Sequence, residues 1–147
     1  MLVKEDTYLD RYVLASHGEL ASGMKDSVQL ILGRDKEIFT ICAYSDGSTG
    51  INDKIETVFS RFNREDHVFV FTDILGGSVN NDFIRILNKK KFYLITGMSL
   101  PLVIEIMTND NIADPKERIK TSIDECKKYI CFCNELLENY KSEITDF

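Results

Sequence analysis

Only two of the 147 residues are histidines, and one of them, His17, stands in Ala15-Ser16-His17-Gly18-Glu19. There an apolar run, Tyr12-Val13-Leu14-Ala15, gives way to a helical pattern. An imidazole can attack, accept or shuttle a proton near neutral pH, which few other side chains do unassisted. In parallel α/β sheets the strand-to-helix junction is where ligands are handled, because loops at the carboxyl ends of strands line the crevice. A second junction carries Asp73 at the end of Val68-Phe69-Val70-Phe71-Thr72, with Gly76-Gly77-Ser78 beginning three residues later. A carboxylate that accepts one ring N–H fixes the imidazole tautomer and leaves the other nitrogen's lone pair pointing outward. Two glycines let backbone N–H groups curl toward an anion, and a helix opening at Ser78 adds its positive end and a hydroxyl. Nucleophile, orienting carboxylate and oxyanion cradle together point to phosphoryl capture by histidine, a reaction that asks for positioning and charge stabilisation. Each piece alone has a plainer reading: a loop histidine held by a carbonyl, an aspartate capping a turn, a glycine loop before an N-cap serine.

The elements that must position these residues alternate between strand-like and helix-like. Residues 12–15 read as a first strand, and Leu20, Ala21, Met24, Val28, Ile31 and Leu32 recur at helical spacing up to Gly33. Residues 37–43 are β-branched and apolar, a second strand; a turn-rich loop, 44–50, follows, then a helix marked by Ile51, Ile55, Val58, Phe59 and Phe62. The third strand, 68–72, is continuously apolar, as expected when both faces are covered. A helix capped by Ser78 packs through Val79, Phe83, Ile86 and Leu87, and 92–96 is a fourth strand. Pro101 fits the first turn of a short helix with Leu102, Val103, Ile106 and Met107 inward. Asp114-Pro115-Lys116-Glu117 is a capping-box-like start to a helix through Ile119, Ile123 and Cys126. From Tyr129 two patterns coexist: Ile130, Phe132 and Leu136 fit a fifth strand, whereas Ile130, Cys133, Leu137 and Tyr140 continue a helix.

This alternation predicts a doubly wound α/β domain with a mostly parallel sheet, occupying 1–147 as one domain with a core at about 10–137 and a charged tail at 138–147. The site depends on strand order. In the flavodoxin-like order 2-1-3-4, strands one and three are neighbours, about 4.8 Å apart, and His17 lies beside Asp73 at the topological switch point. In the order 3-2-1-4 those strands are separated and the pair does not form.

Bulk properties narrow the function. The chain is 44% hydrophobic, with 24 acidic against 18 basic residues, and no basic cluster exceeds Lys89-Lys90-Lys91, so nucleic acid and anionic membranes are poor partners. Met1 leads directly into Lys4-Glu5-Asp6 without an apolar leader, and the most apolar stretch, 92–107, is broken by Gly97, Ser99, Pro101 and Glu105. Cys42, Cys126, Cys131 and Cys133 match neither a disulfide framework nor a zinc spacing and read as buried thiols in a reducing compartment. The expectation is a cytoplasmic domain with no metal site.

Three segments carry a family resemblance: Ser16-His17-Gly18-Glu19-Leu20-Ala21-Ser22-Gly23, then Thr72-Asp73-Ile74-Leu75-Gly76-Gly77-Ser78 with Asn81, then Gly97-Met98-Ser99-Leu100-Pro101-Leu102. In order and spacing they resemble the mannose-family enzyme IIA of the bacterial phosphoenolpyruvate-dependent sugar phosphotransferase system. The resemblance implies that His17 accepts a phosphoryl group from the histidine-containing phosphocarrier protein and passes it to an enzyme IIB, without metal or organic cofactor. It implies that Asp73 bonds the His17 ring and that Gly76, Gly77 and Ser78 bind the phosphoryl oxygens. It further implies a homodimer exchanging a C-terminal antiparallel strand and contact with membranes only through the transporter subunits; because a related phosphoryl donor to dihydroxyacetone kinase shares the domain, that kinase is the alternative acceptor. One departure is Val79 where the family carries a proline suited to the first helical position.

Competing readings fail on particular residues. A receiver domain needs an acidic pair after strand one to hold magnesium, where Ser16-His17-Gly18 stands. A histidine phosphatase needs an arginine at Ser16 and a second histidine at the same sheet edge, whereas His67 precedes strand three and reads as structural. A flavin module would show a hydroxyl-rich loop where Glu19-Leu20-Ala21 lies. One alternative stays open: an adaptor whose loops only dock partners, with His17 incidental. Asp46 shares the sheet edge with His17 and reads as a solvated turn residue.

Overall fold

The computed structural model describes residues 7–145; the reading of 1–6 as free of a leader, and the last two residues of the charged tail, lie outside them. In chain order come β1 (Asp10–His17), α1 (Leu20–Leu32), β2 (Phe39–Ala43), α2 (Asn52–Phe59), β3 (His67–Thr72), α3 (Ser78–Ile84), β4 (Tyr93–Thr96), α4 (Leu100–Thr108), α5 (Pro115–Cys126), a short 3₁₀ turn (Lys127–Tyr129) and α6 (Cys133–Thr145). Two compact units can be distinguished, the division falling between Ile104 and Glu105 within α4.

The first unit contains an all-parallel sheet in the order β2-β1-β3-β4. β1 and β3 are its interior strands, which is why Val13, Leu14, Ala15, Phe69, Val70 and Phe71 are all fully buried and neither strand alternates in polarity. Their register runs from Asp10 opposite His67 to Ala15 opposite Thr72, so the residues just beyond each strand share one edge. The chain moves one way from β1 to β2 and the other way from β2 to β3 and on to β4. Right-handed crossovers therefore put α1 on one face and α2 and α3 on the other. On the second face Val13, Ala15, Ile41, Val68 and Val70 join Ile55 of α2 and Val79 and Phe83 of α3 in one apolar cluster. α1 packs against β1 and β2.

Several side chains differ from the sequence expectation. In α1 the buried line is Ala21 and Val28, while Leu20 and Ile31 are exposed. Leu87 follows α3 and is exposed as well, whereas Ile86 packs partly against the core. α3 begins one residue earlier than predicted: Gly77 is the N-cap, and Ser78 is the first helical residue and makes no side-chain cap. Val79 thus sits one position further into the helix and is fully buried.

In the second unit, Asp114 accepts the Glu117 N–H at 3.3 Å and Pro115 stands in the first turn of α5, as the capping pattern predicts. Residues 133–137 are helical, so the alternative of a fifth strand over 130–137 is not realised, and no exchanged antiparallel strand exists among the described residues. Of the four thiols only Cys126 is buried; Cys131 and Cys133 are exposed and Cys42 is half-buried, which corrects the buried reading for the last three. Burial, aided by the carboxylates of Glu105 and Glu125, pushes the Cys126 thiol up and away from reactive thiolate.

Candidate functional site

The backbone of β1 ends in a turn built around Ser16. Its buried hydroxyl accepts the Ala21 N–H at 2.7 Å and donates to the Gly18 carbonyl at 3.2 Å, closing the step from strand to α1 from inside. Gly18 takes φ +56° and donates its N–H to the Ala43 carbonyl of β2 at 2.8 Å. The turn projects the His17 side chain beyond the sheet edge, where it is 43% exposed.

Asp73 meets it there. One carboxylate oxygen, Oδ2, accepts both the His17 amide N–H and the ring Nδ1, each at 2.8 Å, while Oδ1 accepts the Ile74 N–H at 2.9 Å. Burial pushes the Asp73 carboxyl up, but the His17 amide, the His17 ring and the Ile74 amide together outweigh it and hold the group below the ordinary carboxylate value. An ionised carboxylate has no proton to give, so the bond on the ring side is Nδ1–H donating to Asp73 and the neutral ring carries its lone pair on Nε2.

Nε2 faces the start of α3, with Ser78 Oγ at 3.2 Å. Gly76 supplies the tight turn before it, at φ +77°, and the Asn81 side-chain amide pins that turn by donating to the Gly76 carbonyl at 3.1 Å. Gly77 is required for a different reason. A Cβ placed there would stand 2.6 Å from Ile74 Cγ2 and 3.2 Å from His17 Cε1, so any side chain would press on the imidazole. The Gly77 N–H turns to the Ile74 carbonyl at 3.2 Å instead of toward the crevice, so less of the expected cradle comes from this amide. Below the turn, Thr72 donates to the buried Asn80 side chain at 2.7 Å, and the Met98 N–H reaches the Thr72 carbonyl at 3.0 Å. The third sequence segment thereby ties the β4 edge to the β3 edge.

All five residues singled out from the sequence, His17, Asp73, Gly76, Gly77 and Ser78, thus converge at one sheet edge. One neighbour was missed. Tyr44, the first residue after β2, places its ring centroid 5.7 Å from that of His17 and its hydroxyl 2.7 Å from Ser78 Oγ. The signal was available: in the order 2-1-3-4 the residue following strand two overlooks the same crevice as the residue ending strand one. Asp46, further along that loop, accepts the Ser48 N–H at 3.1 Å and pairs with Lys54 at 2.9 Å, bonds that hold its carboxyl far below the ordinary range; it shapes its own turn. A cleft of about 500 Å³ at the open edge of β2, lined by Glu19, Ser22, Cys42, Ser45 and Lys54 among others, is not lined by His17. Among the described residues, no helix is long and apolar enough to cross a membrane.

Residues 11–125 match the family model of the PTS system fructose IIA component. The sorbose-specific EIIA component of the PTS system from Lacticaseibacillus casei is 25% identical over 125 residues, covering 77% of this chain and 90% of its own length. Among solved structures, a Klebsiella pneumoniae protein assigned as a phosphoenolpyruvate-dependent sugar phosphotransferase system permease superposes with a TM-score of 0.82 at 34% identity, covering 92% of this chain and 99% of its own. The mannose/sorbose-specific IIA subunit from Enterococcus faecalis shares the fold, with a TM-score of 0.70 at 21% identity over 84% of this chain and 93% of its own. A histidine and aspartate joined across β1 and β3, on a sheet of this order, thus occur in a chain that belongs to the PTS fructose IIA component family, the mannose-type enzyme IIA proteins.

Proposed function

We propose that this protein is a cytoplasmic phosphoryl carrier in which His17 Nε2 accepts a phosphoryl group from the histidine-containing phosphocarrier protein and passes it to a histidine of an enzyme IIB. The observation that carries this reading is the Asp73 carboxylate on Nδ1 at 2.8 Å, which leaves Nε2 as the free base. In the transfer, the donor's N–P bond breaks with its electron pair returning to the donor ring, and the Nε2 lone pair forms the new N–P bond. The Nδ1 proton stays on the ring, where Asp73 balances the positive charge that develops. Ser78 offers a hydroxyl to the incoming oxygens, Gly77 keeps room beside the ring, and Gly76 sets the turn that aims both.

A macromolecular donor suits the surroundings. The His17 ring is open to solvent, and Ile74 and Leu75, in the same loop as Asp73, are exposed apolar side chains that a docking protein can cover. The sorbose-specific relative favours an enzyme IIB as acceptor over a dihydroxyacetone kinase.

Reconstitution of the relay tests the proposal. Incubated with phosphoenolpyruvate, enzyme I and the phosphocarrier protein, the wild type should acquire an acid-labile, alkali-stable phosphate, and His17→Ala should acquire none. Labelling of the alanine variant at another residue would overturn the assignment.

A further inference from the structure

Tyr44 is, among the described residues, the only one other than glycine with a positive φ, at +66°. A side chain in the left-handed region is uncommon, and for a bulky residue it marks a position held by its surroundings. What the tyrosine gains there is a hydroxyl 2.7 Å from Ser78 Oγ, which is itself 3.2 Å from His17 Nε2.

The direction of these bonds follows from counting protons. Asp73 accepts from Nδ1–H, so the neutral ring offers Nε2 as an acceptor only. Ser78 must then donate its single proton to Nε2. That leaves the Ser78 oxygen as acceptor, so the Tyr44 hydroxyl is the donor to it. The chain runs one way, from Tyr44 O–H to Ser78 O–H to Nε2, and hydrogen bonds in such a series polarise one another.

We propose that Tyr44 is a positioning residue that acts through Ser78. Its hydroxyl bond holds the Ser78 proton on the His17 side, so that when Nε2 takes up a phosphoryl group Ser78 is already a polarised donor for the phosphoryl oxygens. The inference rests on the phosphoryl-carrier reading of His17. Before transfer the serine proton serves a neutral nitrogen; afterwards Nε2 has spent its lone pair and the same proton serves an anionic oxygen. The second bond is the stronger, so a chain that strengthens the donor favours the phosphorylated state over the free one.

Tyr44→Phe keeps the ring and the backbone and removes only the hydroxyl. Two readings are made with it, Ser78→Ala and the double variant. In the unphosphorylated protein, the ¹⁵N resonance of His17 Nε2 should move toward that of an unbonded imidazole nitrogen in Tyr44→Phe and further in Ser78→Ala. At equilibrium with the phosphocarrier protein, Tyr44→Phe should lower the ratio of phosphorylated to free protein by about 3- to 10-fold, the worth of one hydrogen bond. Adding Tyr44→Phe to Ser78→Ala should change neither reading, because the path through the serine is already cut. Wild-type values in Tyr44→Phe, or the same loss in the Ser78→Ala background, would overturn the proposal. A wild type that accepts no phosphoryl group would instead bring down the carrier reading, and this inference with it.

Discussion

Two histidine–aspartate pairs bridge the same two strands, one at each end of the sheet. At the carboxyl end His17 of β1 meets Asp73 beyond β3 at 2.8 Å; at the amino end Asp10 of β1 meets His67 of β3 at 3.3 Å. The residue types are the same; the separation and the surroundings differ. The His67 side chain is 19% exposed, with Tyr8 4.4 Å and Tyr93 6.5 Å away between ring centroids. His17 is over twice as exposed, and its second nitrogen meets a hydroxyl at the mouth of a glycine turn. An imidazole beside a carboxylate is therefore no site by itself. What distinguishes the carboxyl end is room around the far nitrogen and a hydroxyl directed at it.

The contrast breaks first at the carboxylates. Asp73→Asn can still accept from one N–H but cannot balance an imidazolium, and phosphoryl transfer should slow by on the order of 100-fold. Asp10→Asn should leave the rate of transfer unchanged, measured in the same relay. Equal losses in both variants would mean that the two ends are not functionally distinct.

A smaller effect separates stability from chemistry. Asp66, beside the amino-end pair, is buried and accepts the Leu9 N–H at 3.0 Å, the Asn63 N–H at 3.0 Å and Arg11 Nε at 2.9 Å. Burial raises its pKa, but these donors prevail and hold it below the ordinary 3.8. A carboxyl depressed in the folded state stabilises above its unfolded pKa, and that contribution fades as pH falls from about 4 through the lower folded value. Asp66→Asn should cost about 2 kcal/mol at neutral pH, from lost bonds to a charged acceptor. It should also flatten the acid limb of a urea-denaturation series, while transfer by the folded fraction stays normal.

The smallest effect probes the glycine turn. Gly77→Ala should slow transfer by on the order of 10-fold, as the added methyl forces Ile74 and the imidazole to give way, a distortion typical of overpacking. A normal rate in this variant would show that the space beside His17 is not needed.

Much of this arrangement could be read in the residues themselves. Continuous apolar runs at 12–15 and 68–72 point to strands covered on both faces, but right-handed crossovers allow both 2-1-3-4 and 3-2-1-4, and it is the observed order 2-1-3-4 that brings His17 to Asp73. Tyr44 escaped because a turn-rich loop advertises flexibility and composition does not register a hydroxyl reaching across to another loop. Ser78 misled as a cap because its oxygen is engaged by Tyr44 and His17 rather than by its own helix. The stretch after Tyr129 was illegible for another reason. Periodicity reports which residues are inside, and Ile130 at 91%, Phe132 at 65% and Leu136 at 48% exposure are not.

The single oxygen of Asp73 that grips both the amide and the ring of one residue has a stereochemical corollary. Flipping the imidazole about its attachment bond would put Cδ2 where Nδ1 stands and tear away the side-chain half of that grip, while the main-chain half keeps the acid in place to draw it back. The ring is thus held against torsion, and the proposed transfer should be regioselective: of the two possible isomers of phosphohistidine, only the one substituted remote from the backbone is expected.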